Sequence, residues 1–88
     1  MFLDRLANAK IEREFIHRFL LTAQNTLRVN NGVLRSARRY VQDWHIMGHQ
    51  RKNQTMTQMM SYLRTKARYV EIYEDMVEIH RKYTKDDK

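Results

Sequence analysis

The chain contains no proline and only two glycines, Gly32 and Gly48, so a helix once started meets almost nothing that stops it. Arg, Lys, Gln, Met, Leu and Ala favour helix over strand. An all-α fold follows. There is no cysteine, which removes disulfides and thiolate metal sites as supports. A single domain of 88 residues buries only about 60 to 65% of its unfolded surface. Helix packing, or association between copies, must therefore hold it together.

The apolar pattern divides residues 1–88 into three predicted helices. Asp4 can cap the first, over residues 4–29, by accepting from the free N–H groups of the next turn. Along it Leu3, Ala7, Ile11, Phe15, Phe19, Ala23 and Leu27 step by four, and such a stripe winds by about 40° per turn. Near residues 15–23 the stripe, joined by Ile16 and Leu20, covers most of the circumference, which calls for a neighbour on two sides. Asn30, Asn31 and Gly32 end this helix, because Asn and Gly tolerate the left-handed cap conformation.

A second helix is predicted over 33–48, with Val33, Leu34, Ala37, Tyr40, Val41, Trp44 and Met47 on one face. Arg35, Arg38, Arg39, Gln42 and His49 fall on the other side. The polar run 48–54 reads as a break, and Thr55 with Gln58 fits a capping box opening a third helix over 55–83. A competing reading joins helices two and three through Gly48, since a helical Gly costs only about 1 kcal/mol. In the third helix Met56, Leu63, Val70 and Val77 recur every seventh residue. Tyr62, Tyr69, Met76 and Tyr83 form a second row beside them. The expected architecture is a three-helix domain with a long amphipathic third helix, packed into a homodimer or higher oligomer. Residues 84–88 have no apolar side chain and should fray.

The net charge of +7 is unevenly distributed. Residues 28–70 carry Arg28, Arg35, Arg38, Arg39, Arg51, Lys52, Arg64, Lys66 and Arg68 against a single acid, Asp43, for +8. Residues 71–88 carry −2. The middle of the chain is the electropositive part, and a surface of that sign attracts anionic partners.

Chemistry-bearing patterns are sparse. His45 and His49 have the i, i+4 spacing of a shared metal, but position 46 is Ile and no further ligand lies nearby. Glu71, Glu74, Asp75 and Glu78 have the spacing of a solvated face or of ion-pair partners, Glu78 with Arg81 and Lys82 in particular. Ser36 and Ser61 have no activating neighbour, and there is no Gly-rich phosphate loop. The expectation is a protein that is not an enzyme, with no cofactor and no metal site.

The remaining signal is arginine interleaved with aromatics and amides. Arg35, Arg38 and Arg39 can bind phosphates bidentately along one helix face. Arg51, Lys52 and Thr55 stand where the predicted third helix starts, and free N–H groups there favour an anion. Arg64, Lys66 and Arg68 extend the positive charge. The leading expectation is a small basic helical regulator that binds nucleic acid, DNA or RNA, through this surface. A second is an inhibitor or adaptor docking on another protein through Met56, Met59, Tyr62, Leu63, Tyr69, Val70, Tyr73 and Val77. A third is an oligomeric binder of a small anionic ligand such as a nucleotide. The longest aliphatic or aromatic run is Phe19-Leu20-Leu21, far short of the roughly 20 residues that span a bilayer. A soluble, cytoplasmic protein without a membrane partner is expected.

Overall fold

The computed structural model describes residues 2–24, 31–66 and 70–85, with side chains over 8–24, 35–65 and 73–83. Within them the chain is all-α: α1 Phe2–Gln24, α2 Asn31–Arg39, a 3₁₀ turn Trp44–Ile46, α3 His49–Lys66 and α4 Val70–Lys85. The winding stripe of α1 has the consequence its spacing implies. Phe15, Phe19, Thr22 and Ala23 are buried, and α1 touches α2, α3 and α4. It is the central element, with one neighbour more than the pattern asks for.

The second helix is shorter than predicted. It stops at Arg39, and residues 40–47 form a strap of tight turns in which the amides of Tyr40, Val41, Gln42, Trp44, Ile46 and Met47 reach back three residues. Val41 donates to Arg38, Trp44 to Val41, and Met47 to Trp44, at 3.1 to 3.2 Å. The physical reason is visible in the side chains. Three residues per turn stack i with i+3, so Val41, Trp44 and Met47 all turn inward while Gln42, Asp43, His45 and Ile46 face solvent. An α-helix would have spread that row around its surface by about 60° at each step. Met47 is extended, with φ −82° and ψ 142°, so the chain changes direction and α2 and α3 are not one rod.

The third helix also differs from expectation. It starts at His49, and the run 49–54 is helical. Thr55 lies inside it, with a buried hydroxyl that donates to the Arg51 carbonyl at 2.8 Å instead of capping a helix start. Nor does one helix run from 55 to 83. Asn53 and His80 are hydrogen-bonded, whereas a continuous helix would hold them about 40 Å apart. α3 and α4 fold back on each other. The two apolar rows therefore meet from two helices: Met56, Met59, Met60 and Leu63 on α3 join Met76, Ile79 and Tyr83 on α4 in one core with Phe15 and Phe19.

The side-chain contacts fix the directions. Along α1, Glu12, Phe15 and Arg18 meet Tyr83, His80 and Asp75 in turn, so α4 runs antiparallel to α1. Glu12 and Phe19 meet Lys52 and Tyr62 of α3, so α3 runs parallel to α1. The strap lies against both: Tyr40 packs on Phe19 and Tyr62, and Trp44 bonds Glu12.

Candidate functional site

Two clusters of polar side chains stand out, one closed and one open. The closed one centres on Glu12, a residue the sequence pattern does not single out. Its Oε1 accepts from Trp44 Nε1 at 3.1 Å and from Lys52 Nζ at 2.9 Å. Its Oε2 accepts from the Tyr83 hydroxyl at 2.8 Å. The Lys52 ammonium also lies 5.7 Å from the centre of the Trp44 ring, within cation–π range. His49 stacks on Tyr83 with ring centres 4.3 Å apart. One carboxylate thus ties together α1, the strap, α3 and α4.

Electrostatics explain its position. The first turn of α3 has no acid and carries Arg51 and Lys52, an unfavourable arrangement beside the positive end of a helix dipole. Glu12 supplies from α1 the negative charge that this turn lacks. Both carboxylate oxygens are engaged, so the cluster holds the fold and offers no open position to a substrate.

One turn before Tyr83 on α4, His80 Nε2 donates to Asn53 Oδ1 and its ring leans on Phe15 at 6.2 Å. Burial holds this imidazole below its usual value of 6.5, against the weaker opposing effect of the Asn53 backbone.

The open cluster is the outer face of α2. Arg35, Arg38 and Arg39 are exposed, while Ala37 between them is fully buried. At about 100° per residue, Arg35 and Arg39 stand ~160° from Ala37 and ~40° from each other, with Arg38 ~60° to one side. All three guanidinium groups share one outward arc. Among the described residues none of them makes an ion pair. The described acids of α4 are occupied elsewhere or stand apart: Asp75 binds Arg18 of α1 at 2.6 Å, and Glu78 binds Arg81 at 2.9 Å.

The other predicted anion-binding residues are not gathered onto this face. Arg51 and Arg64 are exposed, but thirteen residues of helix separate them by about 20 Å along α3 and ~140° around it. Lys52 is turned inward to Glu12, and Thr55 is buried. The Lys66 side chain and Arg68 lie outside the described residues. Of the predicted protein-docking stripe, Met56, Met59 and Leu63 are buried in the core, and Tyr62, Tyr73 and Val77 pack half-buried against it. Tyr69 and the side chain of Val70 lie outside the described residues.

No group of three metal-ligating side chains occurs among the described residues. His45 stands on the outer side of the strap and His49 packs on Tyr83, in different elements, so the helical spacing behind the metal idea does not exist. No helix among the described residues is long and apolar enough to cross a membrane. No family model, characterised protein or solved structure matches the chain.

Proposed function

We propose that this protein is a small, non-enzymatic helical regulator that binds nucleic acid through the arginine face of α2. The observation that carries the reading is the set of Arg35, Arg38 and Arg39, exposed on one arc and without an acid partner among the described residues. Three unneutralised guanidinium groups on a chain of net charge +7 favour phosphate, which Arg binds bidentately. Arg51 and Arg64 add positive field from α3 without joining the patch. Association into a homodimer or higher oligomer belongs to the same reading, supported by the marginal core expected at this length. A sedimentation mass that stays monomeric at every concentration would remove that part.

The test is the salt dependence of binding, with Arg35, Arg38 and Arg39 all changed to Ala. Each lost phosphate contact should flatten the slope of log affinity against log salt by about 0.7 to 0.9. The triple variant should therefore lose about 2 to 3 from the slope and keep its fold. A wild-type protein that retards neither DNA nor RNA at low salt ends the proposal.

A further inference from the structure

Resting on that reading for the class of ligand, we infer that the outward face of α3 lies in the major groove of duplex DNA and reads base edges through Gln50, Gln54 and Gln58. The eighteen residues of α3 include no aspartate or glutamate. Gln50, Gln54, Thr57, Gln58 and Ser61 are all exposed, and at 100° per residue they share an arc of about 100° along one side of the helix. Arg51 and Arg64, also exposed, border that arc about 140° apart, one near each end of the helix. Met56, Met59 and Leu63 hold the opposite side against the core, which turns the arc outward.

The make-up of this face differs from that of an ordinary solvated helix, and α4 provides the comparison. α4 shows water Glu74, Asp75, Glu78, Arg81 and Lys82, charges of both signs, with Glu78 and Arg81 paired. α3 shows water amides and hydroxyls between two cations. The side chains of Gln50, Gln54 and Gln58 make no hydrogen bond among the described residues. Thr57 donates to the Asn53 carbonyl at 3.3 Å and is left as an acceptor. A glutamine amide carries a donor and an acceptor side by side, and adenine presents the matching pair in the major groove through N7 and N6.

The arrangement of the cations points the same way. The major groove is about 12 Å wide and admits an α-helix, with a phosphate backbone along each wall. Helices that read a duplex carry base-contacting side chains into that groove and are flanked by backbone contacts. Arg51 and Arg64 stand on opposite borders of the arc, so each faces one wall, and no acid on α3 repels either backbone. The same face suits other nucleic acids poorly. Single strands are held by stacking on aromatic rings, and none of the described exposed residues of α3 is aromatic. The major groove of an RNA duplex is too deep and narrow for side chains to read.

The experiment uses the full chain to select from DNA duplexes randomised over about twelve base pairs, at about 0.1 M salt. Affinities are then measured for the selected duplex, a scrambled duplex of the same composition, one selected strand alone and the matching RNA duplex. The selected sequence should contain A·T pairs and bind at least about tenfold more tightly than the scrambled one. Gln54→Ala, which places the best helix former at an exposed position, should remove most of that preference and leave the scrambled duplex unchanged. Changing Arg35, Arg38 and Arg39 together to Ala should weaken both duplexes by the same factor. Selection that enriches no sequence, a Gln54→Ala loss equal on both duplexes, or tighter binding of the single strand or the RNA duplex overturns this inference and leaves the arginine reading standing. A triple arginine change without effect on either duplex overturns the α2 reading alone. Binding of no nucleic acid overturns both.

Discussion

The two ends of the α1 contact surface are built on opposite principles. Around Glu12, both carboxylate oxygens accept hydrogen bonds, and this one carboxylate joins four segments. Around Phe19, the contacts are ring on ring, and the arginines of the α2 face make no ion pair among the described residues. The first end is closed on itself, and the second carries the arginine face on which the proposed function rests. Charge alone does not tell these roles apart. Lys52 and Arg39 are both cations in the electropositive middle of the chain, yet one is satisfied inside the molecule and the other is not.

This contrast can be broken from either side. The largest effect is expected at the aromatic end, where Phe19→Ala would empty the floor under Tyr40 and Tyr62. Deleting a buried aromatic costs about 3 to 5 kcal/mol, and for an 88-residue chain denaturant unfolding should show the variant close to unfolded. Glu12→Ala should come next. It strips the half-buried Lys52 and Trp44 and the fully buried Tyr83 of their shared acceptor, a loss of about 3 kcal/mol. Glu12→Gln, which keeps an acceptor oxygen, should recover part of it in the same titration. The triple change of Arg35, Arg38 and Arg39 to Ala sharpens the comparison in the other direction. Its stability should stay within about 0.5 kcal/mol of wild type, because none of the three is used in the fold, while nucleic-acid affinity collapses.

Acid should act gently and at the Glu12 end. The folded state holds His80 below 6.5, so between the folded and unfolded values the unfolded chain binds more protons. Stability contributed by the neutral ring is complete above about pH 6.5 and is lost as pH falls through that value toward the folded one. Urea midpoints measured across this range should decline for the wild type and decline less for His80→Gln. The smallest change is expected for Asp75→Asn. Its bridge to Arg18 joins exposed side chains, and such pairs are worth about 0 to 1 kcal/mol.

How much of this was legible beforehand depends on which residues are considered. Helicity was legible, because nothing in the composition opposes it. The core was legible too, since Phe15, Phe19, Met56, Leu63, Met76 and Tyr83 stand at helical spacing and are all buried. The strap was less so, though it left a trace: Val41, Trp44 and Met47 step strictly by three, which suits three residues per turn better than 3.6. An α-helical face also contains steps of three, which hides that trace. The division between α3 and α4 left none that periodicity can detect, because a row of sevens reads the same whether one helix carries it or two helices bring its halves together. Glu12 was invisible for a different reason. Its donors sit 32, 40 and 71 residues away along the chain, and no local pattern reports such a meeting. The arginine face of α2 was the easiest part of the candidate site to read, since it needs only one short helix. Arg51 and Arg64 needed the rotation of α3, and Lys52 needed Glu12.

The Glu12 cluster also determines what can be watched. The chain has one tryptophan, and it is Trp44, the residue whose indole N–H is bound there. Its emission is therefore a built-in optical gauge of the junction, needing no attached dye. Separation of α1 from the strap should shift that signal, whereas an oligonucleotide seated only on α2 should leave it largely unaltered. Opening of the molecule and occupation of its arginine face can thus be followed in the same cuvette as separate events.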